Sequence, residues 1–523
     1  MLASLLGVCA GSLWRRVPAL CLRWPARRAA MVFGLGGATA YTLLAGYGIP
    51  AQRTLYMLAV AALALWSGRA VSVRRVLLLA LVVVLVVDPW AVLAAGFWLS
   101  FAAVGVLLYA ASTAGGARSG TSGWQRWLRE WGLAQWAVTV GSLPLMVWLF
   151  QEVSLVSPLA NAVAIPLVSG IVGPLAVASA VLPLDWPAWL AERCLTYLLD
   201  GLAVIGSQPW SLWQQAQPPL WAVLFGCAGV LVLLLPRGIP GRAAGAVLLV
   251  PVGWPPLAAP LPGEAIVDVL DVGHGLAALV RTSRHALLFD TGPRFGPDSD
   301  AGQRVVAPAL RAMGVGRLDA LVLSHEDSDH AGGLASLLRE VPVVWWMTTL
   351  PDGHPLRRNG PEHHPCLAGG TWTWDGVRFE VLYPGQDAFA GPRKPNQMSC
   401  VVRVVASAGA FLLTGDIEKK EEAWLLDNAA DRLSAPVLQV PHQGSQSSST
   451  ASFVQAVGAQ HAIIPVGYRN RYRHPHPSVV ERYAQAGIRV WRTDRDGAVR
   501  VHLGAPLRVH AQRESAPRYW QGR

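Results

Sequence analysis

The chain is 523 residues long, and 53% of its residues are hydrophobic while only 14% are charged. An average soluble protein has roughly a quarter of its residues charged, so this composition excludes an ordinary soluble domain and indicates a membrane component. The formal net charge is +11, of which residues 1–262, with 15 Arg, no Lys and six acidic residues, contribute +9. The positive charge therefore belongs mainly to the apolar half and is weak evidence for nucleic-acid binding.

Apolar segments of about 20 residues, the length that crosses a bilayer as a helix, recur through the first half of the chain. They cover residues 29–48, 90–111, 131–150, 155–182 and, with a few flanking residues, 220–235. Shorter apolar runs lie at 54–67, 76–87, 195–206 and 243–258. Together these segments predict an α-helical polytopic membrane domain with about nine or ten membrane segments. Gly and Pro inside several of them fit either a conduit or ordinary close packing.

The Arg residues of this half fall in alternate loops between the apolar segments. They cluster at 15–28, 69–75, 118–129 and 237–242, whereas the intervening loops near 49–53, 88–90, 151–157 and 208–219 contain only Arg53. Because positive charge marks cytoplasmic loops, the alternation predicts that the chain from residue 263 onward lies outside the cytoplasm.

A segment rich in Pro and Gly, 251–265, ends the apolar half. Beyond it, short β-like runs alternate with helical stretches at 303–313, 330–340, 419–430 and 477–486, which predicts an α/β domain. We therefore expect a membrane domain over 1–258, a linker over 259–265, an α/β domain over 266–513 and a tail over 514–523. The six cysteines, at 9, 21, 194, 227, 366 and 400, fit neither a CxxC metal site nor a disulfide framework, and we assign them no role.

The strongest chemical signal is the sequence SHEDSDHAGG at 324–333, which directly follows the predicted strand LDALVLS. Strand ends are where α/β folds build their sites. Alternate side chains of an extended loop can converge, so one such loop can supply ligands to two adjacent cations: His325, Asp327, Asp329 and His330. The other interpretation is a solvated charged loop that caps the helix at 331–339 through Ser328 or Asp329.

Three more strand ends carry suitable residues, and a His-rich turn follows them: FDTG at 289–292, LLTGD at 412–416, VPHQGS at 440–445 and RHPHP at 473–477. Five such elements in this order resemble the metallo-β-lactamase superfamily, which implies an αβ/βα sandwich. The resemblance further implies catalytic residues Asp290, which orients the metal loop, Asp329 and His474. It implies two divalent metal ions, one bound by His325, Asp327 and His442, the other by Asp329, His330 and His474, with Asp416 bridging both.

The ligand types bear on the metal and on the reaction. Asp327 stands where the superfamily most often has a second His, and an oxygen ligand favours Mn²⁺ or Mg²⁺, although Zn²⁺ also fits. Two cations about 3.5–4 Å apart activate water and neutralise the charge that develops at a phosphorus or carbonyl centre. Within the HPHP turn we favour His474 over His476 as the ligand, and we place the neighbouring ligand on His442, which is followed by Gln443.

Two further stretches bear on the substrate. Arg469, Arg471 and Arg473 alternate with Tyr468 and Tyr472, a pattern that suits phosphate pairing and base stacking along a nucleic-acid strand. The serines at 445 and 447–449 fit either hydroxyl donors to a phosphate or a flexible Ser-rich turn. We favour a phosphodiester substrate over a small non-nucleotide one.

Nearly the whole chain resembles the ComEC family of DNA-uptake proteins. The matching stretches are GIPAQRTLYM (48–57), DPWAVLAAGFWLSFAAVGVLLY (88–109), the run from SLPLMVWLFQEVSLVSPLANAVAIPLV to GPLAVASAVL (142–182), VLDVGHGLAALV (269–280) and PNQMSCVVRV (395–404). Two positions depart from the family's LDVGQGDA opening, namely His274 for Gln and Leu276 for Asp. The resemblance starts after the OB-like domain with which such proteins normally begin.

The resemblance implies a multi-pass protein of the bacterial inner membrane that passes one DNA strand inward. Its metal domain, on the extracytoplasmic side, would be a nuclease that degrades the other strand. The implied partners are DNA, the lipid bilayer, other uptake proteins such as a DNA receptor, and a second copy in a homodimer. Two alternatives stay open: a membrane-anchored metal-dependent hydrolase of a non-DNA phosphodiester without a channel, and a non-catalytic transport protein, which Leu276 motivates.

Overall fold

The structure is a computed structural model that describes residues 2–68, 71–113, 123–236, 238–256, 259–357, 360–391 and 394–518. It divides into two compact units, Met1–Pro256 and Leu257–Arg523. Arg69, Arg118 and Arg237 of the predicted cytoplasmic loops lie outside the described residues, as does the end of the predicted tail.

The first unit is helical, as its apolar composition predicts. Its helices are α1 (Leu2–Arg15), α2 (Pro18–Arg23), α3 (Ala26–Leu44), α4 (Ile49–Trp66), α5 (Val73–Val87), α6 (Ala95–Thr113), α7 (Gly123–Phe150), α8 (Ser157–Leu167), α9 (Gly173–Val181), α10 (Trp186–Gly206), α11 (Leu220–Leu233) and α12 (Ala244–Gly253). Two short strands, β1 (Glu152–Ser154) and β2 (Leu212–Gln214), pair antiparallel.

Within the described residues, four helices are long and apolar enough to cross a membrane: Ile49–Trp66, Ala95–Thr113, Gly123–Phe150 and Ser157–Ala180. The last of these includes α8 and most of α9, which a π-helical turn joins. Helices α11 and α12 are apolar but shorter. Four helices of this length and hydropathy are fewer than the nine or ten membrane segments expected. Several of the predicted apolar runs form helices that are too short or too polar to cross a membrane by length and composition alone.

Among the described residues of this unit, one charged side chain is buried. Arg53, in the first turns of α4, is 7% exposed, and its Nε and Nη1 atoms have no hydrogen-bond partner in the described part of the chain. Its guanidinium lies against Gly96, where an added Cβ would be 2.8 Å from Nη2. The absence of a side chain at position 96 therefore leaves the space that the guanidinium occupies.

The second unit is an α/β domain with two large sheets. Its strands are β3 (Ala265–Val269), β4 (Ala278–Arg281), β5 (Ala286–Phe289), β6 (Arg294–Gly296), β7 (Ser299–Asp300), β8 (Leu318–Leu323), β9 (Val343–Thr348), β10 (Glu362–Pro365), β11 (Thr371–Trp374), β12 (Val377–Tyr383), β13 (Val401–Ala406), β14 (Gly409–Leu413), β15 (Val437–Gln439), β16 (His461–Ile464), β17 (Arg489–Arg492), β18 (Val499–Leu503) and β19 (Arg508–Ala511). Its helices are α13 (Ala307–Ala312), α14 (Ser328–Ala331), α15 (Leu334–Glu340), α16 (Lys419–Ala429), α17 (Ala451–Val457), α18 (Pro477–Gln485), α19 (Thr493–Asp496) and α20 (Gln512–Ser515).

The two sheets form the centre of an αβ/βα sandwich. The eight-stranded sheet has the order β10-β9-β8-β5-β4-β3-β18-β19, and the seven-stranded sheet has the order β11-β12-β13-β14-β15-β16-β17. Apolar residues of both sheets, such as Phe289 and Phe411, share one buried core. A second core joins the seven-stranded sheet to α16–α18, and a third joins the eight-stranded sheet to α13 and α15. The predicted helices at 303–313, 330–340, 419–430 and 477–486 are confirmed within a few residues.

Two cysteines have a role that the sequence spacing did not reveal. Cys366 and Cys400 form a disulfide with Cα atoms 6.0 Å apart, and both are fully buried in the core between the sheets. Cys366 follows β10 of one sheet and Cys400 precedes β13 of the other. The expectation that none of the six cysteines has a role is therefore wrong for this pair. Simple spacing could not reveal it, because the 34-residue separation is bridged only by sheet packing.

Candidate metal centre

The predicted ligands converge because they all follow strands that end at the same edge of the sandwich. Strands β5 and β8 are parallel neighbours in one sheet, and β14, β15 and β16 are parallel neighbours in the other. Asp290 follows β5, His325 follows β8, Asp416 follows β14 and His442 follows β15. The carboxyl ends of neighbouring parallel strands meet at one edge, so the two sheets present these side chains to one pocket.

Asp290 is the buried anchor of the loop 324–330. It is fully buried and has a positive φ of 60°, a conformation that non-glycine residues rarely adopt and that clusters at functional sites. Its Oδ1 accepts a hydrogen bond from the Ser324 N–H at 2.6 Å, and its Oδ2 accepts from the Ser324 hydroxyl at 2.7 Å. Oδ2 also lies 2.7 Å from His330 Nδ1. The carboxylate thus fixes both the backbone and a ring of the loop.

Three imidazoles are held at Nδ1 and direct Nε2 into the pocket. His330 Nδ1 pairs with Asp290, and His325 Nδ1 is 2.9 Å from the Ser324 hydroxyl. His442 Nδ1 is 3.3 Å from Glu418 Oε1. Partners on the far nitrogen fix the tautomer and the ring orientation of metal-binding histidines. The three rings therefore present the nitrogen that a metal requires.

Asp416 lies at the middle of the pocket and is almost fully buried. Its Oδ1 is 3.1 Å from His330 Nε2, and its Oδ2 is 3.9 Å from His442 Nε2. Burial alone raises the pKa of this carboxyl, but the neighbouring His330, with His325 and His442, outweighs burial and holds the pKa well below its usual range. Gly415, with φ +55°, precedes it, and a Cβ there would be 2.9 Å from the Cβ of Ser324. Because Gly415 has no side chain, the chain after β14 can lie close against Ser324, which follows β8 of the other sheet.

His330 forms an ion pair with Asp416, and its pKa shifts in the opposite direction. Burial lowers its pKa, but the carboxylates of Asp416 and Asp290 on either side outweigh burial and raise the pKa well above 6.5. A metal ion that binds Nε2 must therefore displace a proton from this ring.

Asp327 and Asp329 border the pocket from its solvent side, with side chains 44% and 30% exposed. Asp327 Oδ2 is 3.6 Å from His325 Nε2, and Asp329 Oδ2 is 3.8 Å from His330 Nε2. The adjacent His325 ring lowers the pKa of Asp327. The alternative of a helix-capping loop is not supported, since α14 begins after Asp327 without a side-chain cap and α15 begins after Gly333.

The HPHP turn separates its two histidines. His476 caps α18, because its Nδ1 accepts a hydrogen bond from the Ser478 N–H at 3.3 Å. The His474 ring is 5.9 Å from the ring of His442 and stacks on Tyr472 at 6.0 Å, and burial lowers its pKa. The structure therefore brings His474 to the edge of the pocket and gives His476 a structural position.

The Ser-rich turn makes hydrogen bonds within itself and to neighbouring residues, which speaks against the alternative of a flexible turn. The Ser448 hydroxyl donates to the Pro441 carbonyl at 2.9 Å, and Ser449 accepts from the Tyr483 hydroxyl at 3.1 Å. Both serines are fully buried. The Ser447 hydroxyl donates to Glu418 Oε1 at 2.9 Å. The Ser445 hydroxyl lies 3.1 Å from that of Ser447, so all four hydroxyls have hydrogen-bond partners in or next to the loop that carries His442.

Several residues near the pocket were not predicted to belong to it. The Ser399 hydroxyl lies 3.3 Å from His325 Nδ1 and accepts from the Asp416 N–H at 3.1 Å, and Asn396 Nδ2 is 3.5 Å from His442 Nε2. The Asn-x-x-Ser sequence at 396–399 is the sequence feature that could have indicated that Asn396 and Ser399 belong to the pocket. His274 stacks on Tyr472 with ring centroids 4.9 Å apart, and burial lowers its pKa to about 4.

Leu276 contributes through its backbone alone. It is fully buried in the core between the sheets, and its N–H donates to the Asp329 carbonyl at 3.2 Å. Gly275, with φ +134°, lies so close to the loop that a Cβ would be 2.2 Å from the Asp329 oxygen. The segment at 275–276 supports the metal loop and offers it no ligand.

The donor set fits a divalent cation. Ligand atoms of His325, His330 and Asp416 all lie within 4.8 Å of one another. His325 Nε2 is buried and has no hydrogen-bond partner among the residues that the structure describes. A buried ring nitrogen without a partner is costly unless a ligand binds it.

Comparison with known proteins identifies both units. Residues 2–239 match the family model of the competence proteins, and residues 270–468 match that of the metallo-beta-lactamase superfamily. Competence protein ComA of Neisseria gonorrhoeae is 40% identical over 97% of this chain and 70% of its own length. The chain belongs to the ComEC family of competence proteins. ComEC membership and the apolar helices make it a membrane protein whose second unit has the metallo-β-lactamase fold, a fold that implies divalent metal binding.

Two other relatives match across both units. The uncharacterized protein YcaI of Escherichia coli is 32% identical over 95% of this chain and 65% of its own length. ComE operon protein 3 of Bacillus subtilis is 26% identical over 88% of this chain and 62% of its own length. The chain thus spans between three fifths and seven tenths of the length of these curated relatives.

Proposed function

We propose that this protein takes part in DNA uptake during natural transformation, with the membrane unit passing one strand and the metal domain hydrolysing the other. The observation that carries the proposal is the pocket in which His325, His330, Asp416 and His442 converge, in a chain that also contains a competence-family membrane unit. We assign two divalent ions, Mn²⁺ or Zn²⁺ with Mg²⁺ also suitable, to the ligands predicted from the sequence.

The surroundings of the pocket support a nucleic-acid substrate. Tyr468 and Tyr472 are 72% and 52% exposed, and the guanidinium groups of Arg469 and Arg471 lie over their rings at 5.2 and 4.7 Å. Exposed aromatic rings stack on bases, and Arg binds phosphates. Because Tyr472 stacks on His474 at the pocket edge, a strand bound there would run directly past the metal centre.

His325 also lines a cavity of about 590 Å³, together with Thr348, Arg357, His363 and Phe389 among others. Arg357 donates to His363 Nδ1 at 2.7 Å, and His363 Nε2 is buried without a partner in the described residues. We assign to this cavity the binding of a phosphate next to the cleaved bond, since the Arg357 guanidinium and the His363 imidazole both line it.

Bound divalent ions would activate a water molecule and neutralise the charge that develops on the cleaved phosphodiester. The chain's own residues would align this chemistry. Asp290 holds the loop, Ser324 and Ser399 orient His325, and Glu418 orients His442. The Arg and Tyr side chains of 468–473 would hold the strand in register.

Sidedness and transport are supported by two further observations. Disulfides persist in oxidising compartments, so the Cys366–Cys400 bond favours an extracytoplasmic metal domain of a protein in the bacterial inner membrane. A buried ionisable residue in a membrane segment is costly and typically functional. Arg53, with unpaired nitrogen atoms, therefore fits a conduit that DNA phosphates pass. DNA-receptor proteins and a second copy of the chain remain the proposed partners.

The test combines a nuclease assay with a transformation assay. The full chain in detergent should cleave DNA with Mn²⁺ or Zn²⁺, and His325→Ala or Asp416→Ala should abolish cleavage. His510→Ala, on the exposed strand β19, is the matched control and should leave cleavage unchanged. In a transformable host, deletion should abolish DNA uptake. Normal uptake after deletion would refute the transport role and favour a hydrolase of another phosphodiester, whereas uptake without cleavage would favour a non-catalytic transport protein.

A further inference from the structure

The side chain of Gln443 lies inside the metal pocket, although it has no role in the proposed ligand set. It is 1% exposed, and both His442 and Gln443 have a positive φ of 48°. This left-handed pair turns the two consecutive side chains into the pocket. Such backbone conformations cost free energy and persist where the surrounding structure holds them in place.

The amide nitrogen of Gln443 occupies the position where three of the proposed ligands of the second ion meet. Nε2 is 3.0 Å from Asp329 Oδ2, 3.1 Å from Asp416 Oδ2 and 3.1 Å from His330 Nε2. A second contact reaches Asp416 Oδ1 at 3.4 Å. These are the atoms that would surround the ion assigned to Asp329, His330 and Asp416.

We propose that Gln443 regulates occupancy of the second metal position, so that the two ions bind with sharply unequal affinity. The amide donates hydrogen bonds to the two carboxylates and thereby stabilises the pocket with one ion. A second ion must displace the amide and break those bonds. Hydrogen bonds to charged acceptors are strong enough for their loss to weaken the second ion's binding by about 10- to 100-fold.

This inference rests on the proposed metal centre and adds a property that its ligand list alone does not imply. Of the first ion's ligands, the bridging Asp416 accepts from the Gln443 amide, whereas His325, Asp327 and His442 have no hydrogen bond to it among the described contacts. The asymmetry therefore concerns one position and not the centre as a whole.

The test is Mn²⁺ titration of the full chain in detergent, after removal of metal with a chelator, followed by calorimetry and by Mn²⁺ electron paramagnetic resonance. Gln443→Asn is the main variant, because Asn tolerates a positive φ and keeps an amide that is one methylene shorter. Gln443→Gly, which also tolerates this backbone, removes the amide altogether. Gln446→Asn, at an exposed position of the same loop, is the matched control.

We expect the wild type and Gln446→Asn to bind one Mn²⁺ tightly and a second at least tenfold more weakly. In Gln443→Asn or Gln443→Gly the second ion should bind about 10- to 100-fold more tightly, and a spin-coupled Mn²⁺ pair should appear at lower Mn²⁺ concentration. Titrations of both variants that superimpose on the wild type would overturn the inference. So would loss of either ion, which would make Gln443 a ligand. Absence of Mn²⁺ binding in every protein, wild type included, would instead refute the metal centre itself.

Discussion

Replacing Asp290 by Asn removes the charge of a fully buried carboxylate without changing its size. The carboxylate accepts three short hydrogen bonds, two from Ser324 and one from His330 Nδ1, at 2.6–2.7 Å. A neutral acceptor weakens each by about 1 kcal/mol, and the amide NH₂ must face one of these donors, so we expect the metal-free protein to lose about 3 kcal/mol of stability. Since residues that orient metal ligands contribute about 10- to 100-fold to metal affinity, Mn²⁺ binding should weaken by that factor.

The same substitution should change the proton released on metal binding. Asp290 is one of two carboxylates that raise the pKa of His330, so at pH 7 the metal-free ring is protonated and a metal that binds Nε2 releases that proton. In Asp290→Asn the pKa of His330 falls, and fewer protons are released when the metal binds. Calorimetry in two buffers with different ionisation enthalpies measures this number directly.

The raised pKa of His330 also determines how the stability of the metal-free protein changes with pH. A raised pKa in the folded state stabilises the metal-free protein below the unfolded value of about 6.5, and this stability is lost as the pH rises through the folded pKa. The lowered pKa of Asp416 acts in the opposite sense, with stability lost as the pH falls below about 4. The metal-free protein should therefore melt at lower temperature as the pH is raised above 7, and bound metal should abolish this decline.

Asp319→Asn is the control for Asp290→Asn, because Asp319 lies at the other end of strand β8 and accepts from the Ala286 N–H at 3.0 Å. It should change stability slightly and leave metal affinity and proton release unchanged. Unchanged Mn²⁺ affinity and unchanged proton release in Asp290→Asn would refute the reasoning.

Three further predictions concern other parts of the molecule. Replacing Cys366 and Cys400 by Ala should destabilise the metal domain by about 3–4 kcal/mol in denaturant unfolding, as expected for a 34-residue loop, and thiol labelling of the wild type at these positions should require a reductant. Arg53→Leu should lower DNA uptake at least tenfold in a transformation assay while DNA cleavage by the purified protein stays at the wild-type rate. Tyr472→Ala should weaken single-stranded DNA binding by about 1–3 kcal/mol in fluorescence anisotropy, and an equal effect of Tyr41→Ala, in the membrane unit, would contradict its assignment to the strand path.

Sequence patterns predicted the metal domain well because its elements have short-range signals. A buried strand followed by Asp-Thr-Gly, or by a His- and Asp-rich loop, appears in a few consecutive residues, and the parallel order of β5 with β8 and of β14 with β15 then brings the loops together. The helices beginning near 330, 419 and 477 follow from apolar periodicity in the same way. These features depend on neighbours in sequence, so one chain suffices to predict them.

What the sequence did not predict depends on contacts between distant segments. The Cys366–Cys400 bond forms where the two sheets pack against each other. The Gln443 side chain enters the pocket because His442 and Gln443 have left-handed backbone conformations, which the sequence Pro-His-Gln-Gly does not predict. Hydrophobicity likewise predicts where a segment is apolar but not where its helix begins and ends. The expected segments at 76–87 and 243–258 therefore correspond to helices α5 and α12, which are too short to cross a membrane by length alone.

The residues of the candidate metal centre come from both sheets, so its geometry depends on how rigidly the two sheets are packed together. His325 and His330 follow β8 of one sheet, whereas Asp416 and His442 follow strands of the other, so metal–ligand distances depend on how the sheets are held together. The Cys366–Cys400 bond crosses between them one residue from Ser399, whose hydroxyl contacts His325 and the Asp416 N–H. The Cys400 N–H also donates to the Ser324 carbonyl at 2.9 Å. The disulfide is therefore part of the support of the metal centre as well as of the fold.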